Sequence, residues 1–195
     1  KAEPQVIVEE DDIKAQLQIE LPEKLKESEL EISNDYLTQT LFVRFKGGVR
    51  DYFEEYAIKG KCEHIVSLAY YQEKKYGVVA LQLDKVYECT TTFEDGKLYV
   101  DFVEPHEIYD KVVVIDAGHG GRMPGATKQG VYEKDIDLSI VLELKKIFDD
   151  SDENIGVYYT RTTDVNPSYE QRVQLANKSN ADLFLMLGAK SILYS

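Results

Sequence analysis

The sequence predicts an α+β chain in two parts: an antiparallel, sandwich-like β-domain, then part of an α/β unit with a mostly parallel sheet and covering helices. Three observations predict it. From Asp35 to Val103, short runs rich in Tyr, Val, Ile and Thr recur between turn residues, the pattern of a small sandwich. After Tyr109 the order becomes strand, Gly-rich loop, helix, strand, helix, strand, which argues for a parallel sheet. The charge divides too: residues 1–109 hold 13 Lys/Arg against 23 Asp/Glu, net −10, and residues 110–195 hold 10 against 13, net −3. The expected divisions are a charged lead-in over 1–34, a β-rich domain over 35–109 and an α/β portion over 110–195.

The lead-in opens with the acidic cluster Glu9-Glu10-Asp11-Asp12. Its weak periodicity (Ile13, Leu17, Leu21; Leu25, Leu30, Ile32) fits short amphipathic pieces or a partly ordered segment. Strands are expected at 40–45, 65–71, 77–83, 87–93 and 98–103, and the Asp95-Gly96 pair between the last two marks a hairpin. Pro105 to Asp110 reads as a linker. The continuous apolar run Val112-Val113-Val114-Ile115 is a buried strand. Lys134 to about Asp150 carries Ile136, Ile140, Val141, Leu144, Ile147 and Phe148 at helical spacing. A strand over 156–160, a helix over 169–179 with Val173 and Ala176 inward, and a strand over 183–187 complete the pattern.

A chain of 195 residues holds one ordinary domain or two small ones. A net charge of −13 excludes nucleic acid as a partner, because a phosphate backbone requires a basic surface. No stretch approaches the roughly 18 apolar residues of a transmembrane segment. The start Lys1-Ala2-Glu3-Pro4 shows no signal peptide. Cys62 and Cys89 form no C-x-x-C pair and read as small buried hydrophobes.

Chemistry concentrates where the apolar strand ends, in Asp116-Ala117-Gly118-His119-Gly120-Gly121, with Glu133 at the start of the following helix. Functional groups of parallel sheets gather at the carboxyl ends of the strands. Zinc takes imidazole nitrogen and carboxylate oxygen, and a catalytic zinc keeps one position open for water. His119 and Glu133 are therefore candidate metal ligands. Read from residues alone, His119 equally suits a plain Gly-rich connection and Glu133 a helix N-terminal carboxylate.

The order IDAGHGG, PGA, EKD, TR, R…AN and ADLF over roughly the last 85 residues resembles the zinc-dependent N-acetylmuramoyl-L-alanine amidases of bacterial cell-wall turnover. The resemblance implies an amidase/phosphorylase-hydrolase-like α/β fold and a peptidoglycan substrate. It also implies three Zn²⁺ ligands, a His, a Glu and a second His, with a further Glu as general base. The first two map onto His119 and Glu133. The second His should end the strand after Ala181-Asp182-Leu183-Phe184, where Gly188 stands instead. The general base falls beyond Ser195, so the chain reads as truncated or altered after Leu187 and inactive alone. Nothing in their spacing makes His64 or His106 a replacement ligand.

Asp116, Arg161 and Arg172 are expected to support the site or meet substrate. Asp116 either accepts the ring N–H of His119 or caps the turn. Arg161 pairs with Asp164 in a loop salt bridge and Arg172 ties its helix to that loop, with substrate contact the alternative for both, and Asn177 bonds a loop. The Tyr-rich first part weakly resembles the AMIN-type β-domains that target amidases to peptidoglycan; its tyrosines stack on sugars or simply fill half-buried sheet positions. The expected location is the extracellular side or the bacterial cell envelope. The rival reading is a non-catalytic peptidoglycan-binding or regulatory protein, with self-association through an open sheet edge as a further expectation.

Overall fold

A computed structural model describes residues 7–8, 14–60 and 63–188. The protein is mixed α/β, with several sheets and four α-helices among these residues. It divides into two compact units, Lys1–Val103 and Glu104–Ser195.

The first unit contains strands β1 (Ile7–Val8), β2 (Leu17–Glu20), β3 (Leu30–Asp35) and β4 (Thr40–Lys46), then helix α1 (Tyr52–Glu55). Strands β5 (Ile58–Gly60), β6 (Ile65–Glu73), β7 (Tyr76–Leu83), β8 (Glu88–Glu94) and β9 (Lys97–Val103) follow. They form a five-stranded sheet ordered β1-β5-β2-β9-β8 and a four-stranded sheet ordered β3-β4-β7-β6. Inward side chains of both sheets, among them Leu17, Ile19, Leu98 and Val100 with Leu41, Val43, Val79 and Leu81, share one solvent-free core. Between β8 and β9, Asp95 and Gly96 both take positive φ (49° and 73°), as a tight hairpin turn requires.

Two expectations are corrected here. Residues 14–34 are not a lead-in apart from the β-domain: β2 sits in the middle of its sheet, and the division expected at residue 35 cuts through β3. Only four residues long and bounded by charge, β2 leaves a short Leu-Gln-Ile-Glu alternation that the surrounding acidic residues obscure. Nor is the unit purely antiparallel, since β1 pairs parallel to β5. Of the tyrosines, Tyr52 and Tyr87 fill buried positions, whereas Tyr71 is exposed. Burial pushes the Tyr52 phenol well above its usual pKa. Cys89 is half-buried, and its Sγ accepts from Asn34 Nδ2 at 3.4 Å; Cys62 lies outside the described residues.

The second unit runs α2 (Pro105–Ile108), β10 (Lys111–Ala117), a small hairpin of β11 (Thr127–Lys128) and β12 (Val131–Tyr132), and α3 (Glu133–Asp149). It continues through β13 (Ile155–Tyr159), α4 (Tyr169–Lys178) and β14 (Leu183–Leu187). β10 is the central strand of a three-stranded sheet, parallel to β13 on one side and to β14 on the other. Asp182 ties the start of β14 to β10 by accepting from the N–H of Val112 at 2.8 Å, which holds its carboxyl below the usual range.

Along α3 the inward stripe is Glu133, Asp137, Val141, Leu144 and Phe148, while Ile136, Ile140 and Ile147 are exposed. On α4, Arg172 and Leu175 face inward and Val173 faces solvent. Apolar spacing alone therefore misplaced part of both inward faces. Polar side chains hold the inward positions next to the site, and the apolar residues beside them stay uncovered.

Candidate functional site

The site lies where β10, β13 and β14 end. After Ala117 the chain turns through Gly118, whose N–H donates to the Leu187 carbonyl at 3.1 Å, and His119 takes a positive φ of 56°. The Pro124-Gly125-Ala126 segment then closes against the start of α3. Glu133 N–H donates to Ala126 O at 2.9 Å, Lys134 N–H donates to Pro124 O at 3.1 Å, and Ala126 N–H donates to Glu133 Oε2 at 2.7 Å. These bonds bring His119 Nε2 to 3.4 Å from Glu133 Oε2. His119 is one-third exposed and Glu133 is buried, so the pair opens to solvent on the imidazole side. It borders a cleft of about 690 Å³ that Asp116, Arg172, Tyr169 and Gly188 also line.

Gly188, directly after β14, lies beside the same carboxylate: a Cβ placed on it would be 3.5 Å from Glu133 Oε1. Position 188 thus faces the second oxygen of Glu133, while His119 faces the first. A side chain with a donor atom here would enter the site, and glycine has none.

The two arginines occupy the space behind the turn. Arg172 Nη1 is hydrogen-bonded to Asp116 Oδ1 and donates to Ala117 O at 2.7 Å; its Nη2 donates to His119 O at 2.8 Å, and its Nε donates to Pro167 O at 3.1 Å. Arg161 Nε donates to Ala117 O at 2.9 Å, and its Nη2 donates both to Gly118 O at 2.7 Å and to Lys134 O at 2.9 Å. Three successive carbonyls, from Ala117 to His119, are thereby held by buried guanidinium groups. Burial and the neighbouring Arg172 lower the Arg161 pKa from its ordinary value.

Asp116 does not take either expected role. It is buried, bonded to Arg172 and to Thr160 Oγ1 (2.5 Å), and makes no hydrogen bond to the His119 ring or to the turn's N–H groups. Asp164 pairs with Lys134 Nζ at 2.6 Å and accepts from Gly121 N–H at 2.8 Å, so its direct partner is Lys134 rather than Arg161. These two bonds hold the Asp164 carboxyl below its usual range. Asn177 is exposed, and its backbone carbonyl, not its amide, accepts from Asn180 N–H.

Sequence reasoning missed Asp137. One turn after Glu133 on the inward stripe of α3, it is only 2% exposed, and its Oδ2 has no hydrogen-bond partner. Desolvation first, and the Glu133 charge second, push its carboxyl above the usual range. The i, i+4 spacing of two acidic residues at a helix start was the available signal.

As a zinc centre the arrangement is incomplete. Two donors converge, but among the described residues no three His, Cys, Asp or Glu side chains are grouped to hold a metal ion. A zinc site needs at least three protein ligands. His64 and His106 do not supply the third: His64 hydrogen-bonds Tyr87 at 2.9 Å, and His106 the Asn180 carbonyl at 2.8 Å.

The glycine-turn histidine and the helix-start carboxylate thus meet at the carboxyl edge of the parallel sheet. Residues 113–191 match the N-acetylmuramoyl-L-alanine amidase family, as the motif order implies. The sporulation-specific N-acetylmuramoyl-L-alanine amidase of Bacillus subtilis (strain 168) is 39% identical over 79 residues, 40% of this chain and 31% of that protein. The endolysin of Bacillus phage SPP1 is 44% identical over 75 residues, 38% of this chain and 27% of that protein. The chain thus spans about a third or less of the curated relatives it matches. Among solved structures, the catalytic domain of CwlV, an amidase from Bacillus (Paenibacillus) polymyxa var. colistinus, aligns at 35% identity with a TM-score of 0.41, covering 43% of this chain and 48% of that one.

Proposed function

We propose that the second unit is part of an N-acetylmuramoyl-L-alanine amidase domain, and that its cleft receives the junction between the muramoyl lactyl group and the first L-Ala of peptidoglycan. The observation that carries this reading is the 3.4 Å approach of His119 to Glu133 within the segment that matches the family. Asp116, Arg161 and Arg172 support the site through the peptides that carry it. We assign them no contact with the scissile bond. The donor set does not fit a working zinc centre, which needs at least three protein ligands.

That misfit favours the second reading, a peptidoglycan-binding or regulatory protein that uses the same cleft without cleaving. Both readings put the protein at the bacterial cell wall, outside the membrane, and among the described residues no helix is long and apolar enough to cross one. In this proposal the Tyr-rich first unit is an AMIN-like wall-binding module. The free edge of β14, with Leu183 to Met186 exposed, supports self-association, which a concentration-independent monomer in sedimentation would exclude.

Co-sedimentation with purified sacculi tests the shared core of both readings. Binding that soluble muramoyl peptide displaces is expected; absence of binding would remove both. Release of free L-Ala amino termini from sacculi, lost in Glu133→Gln, would decide for the enzyme.

A further inference from the structure

The second unit also presents an aromatic side chain that its own fold does not use. Tyr169, the first residue of α4, is 86% exposed, and no described large apolar side chain is more so. It lines the same cleft as His119 and Glu133. No hydrogen bond or ring contact holds its side chain, yet its backbone is mounted firmly. Ser168 and Gln171 form a reciprocal cap around it, with bonds of 3.2 and 2.9 Å. Arg172 Nε holds the carbonyl of Pro167 at 3.1 Å, and Asp164, further back in the same loop, is pinned to the glycine turn and to Lys134. With the backbone fixed, only the two side-chain torsions remain to be ordered when a ligand covers the ring, a small cost for the apolar area it offers.

We propose that Tyr169 is the platform on which the pyranose ring of the muramoyl group stacks, making it a substrate-binding and specificity-determining residue of this cleft. The inference rests on the muramoyl-peptide reading above. A ligand whose lactyl–alanine amide lies at His119 and Glu133 carries a sugar ring only a few bonds away. The flat C–H face of a pyranose, rimmed with hydroxyls, matches a phenol ring that offers an apolar face and a polar tip. Met123, exposed on the glycine turn and lining the same cleft, supplies a second adaptable apolar surface for the N-acetyl or lactyl methyl.

The test is ligand-observed NMR of the full chain with N-acetylmuramoyl-L-alanyl-D-isoglutamine, and separately with L-alanyl-D-isoglutamine, which lacks the sugar. Saturation transfer is expected to be strongest at the pyranose ring protons. Tyr169→Ala should weaken the sugar-bearing ligand about tenfold, while Tyr169→Phe stays within about threefold because the ring face is kept. Neither substitution should alter affinity for the sugarless peptide. Wild-type binding of the muramoyl peptide with Tyr169→Ala unchanged would overturn the assignment of Tyr169 and leave the cleft reading standing. Failure of the wild type to bind the muramoyl peptide would overturn both. A loss in Tyr169→Ala that extends equally to the sugarless peptide would also overturn the sugar assignment.

Discussion

Arg172 Nη2 donates to the main-chain carbonyl of His119 at 2.8 Å, so the residue that presents its imidazole to the cleft is held by a buried cation. The same guanidinium neutralises Asp116, and Arg161 joins the carbonyl of Gly118, just before His119, to that of Lys134, just after Glu133, through a single nitrogen. Neither arginine depends on a ligand to be satisfied. Their bonds set where the two donors stand and account for a non-glycine residue at positive φ.

Replacing Arg172 with Ala would leave the Asp116 carboxylate in the interior without its cation and release the carbonyls of His119 and Pro167, while Arg161 still holds that of Ala117. Loss of one member of such a buried pair costs about 3–5 kcal/mol. Urea denaturation of the second unit's transition should show a loss of that size, with Arg172→Lys intermediate. A loss below about 1 kcal/mol, the range of an exposed pair, would contradict the network described here.

Gly188→His places an imidazole beside Glu133 Oε1. Zinc affinity, measured by competition with a chelator, should rise at least about tenfold over the wild type, about 1.4 kcal/mol. Glu133→Gln in the same background should abolish the gain. An unchanged affinity would show that position 188 does not reach the site.

Asp137→Asn removes a buried carboxylate whose Oδ2 lacks a partner. Because the folded-state pKa is raised, the folded protein binds more protons than the unfolded chain between the ordinary carboxylate pKa and the raised one. Stability therefore falls as pH climbs through that window and stays reduced above it. Asp137→Asn should be more stable than wild type near pH 7, by about 1 kcal/mol, with the gap closing toward pH 4. Thermal melts across that range would settle the sign, and a gap that widens on acidification would refute it.

Gly125 has a φ of 69°, and a Cβ there would come 2.5 Å from Glu133 Oε2 and 2.7 Å from His119 Cδ2. Gly125→Ala should cost about 1 kcal/mol or more in backbone strain alone. It should also push the two donors apart. Zinc binding in the Gly188→His background is the sensitive readout, expected to weaken in the double variant.

Leu17→Ala tests whether the acidic N-terminal segment belongs to the β core. Leu17 is fully buried in β2, and its truncation should destabilise the first unit by about 2–5 kcal/mol. A near-neutral effect in chemical denaturation would return residues 14–34 to the status of a lead-in.

Much of this arrangement was legible before any coordinates. The Asp95-Gly96 turn and the strands ending at Ala117, Tyr159 and Leu187 follow from local chemistry and periodicity, and the meeting of His119 with Glu133 follows from the motif order that resembles the amidases. Local patterns report the turn and the strands because the residues that make each of them are neighbours in the chain. Strand β2 was not legible: four residues inside a charged segment carry too little periodicity, and their burial depends on β5 and β9, some 40 and 80 residues away. The inward faces of α3 and α4 were read partly wrongly for a related reason. Apolar spacing identifies an amphipathic helix, but it does not say which of two adjacent stripes meets the sheet.

By itself, then, the sequence determined the order of elements, the identity of the candidate donors and the absence of a donor at Gly188, since each is written in contiguous residues. Only the tertiary structure decided that Arg161 and Arg172 hold the carbonyls of the glycine turn, that Asp116 pairs with Arg172 instead of His119, and that Asp137 is buried with Oδ2 unpartnered while Tyr169 stands bare. Hydrogen-bond partners and desolvation are set by groups that approach from distant parts of the chain. The type of a residue limits what it can bond; the fold selects which of those bonds it makes.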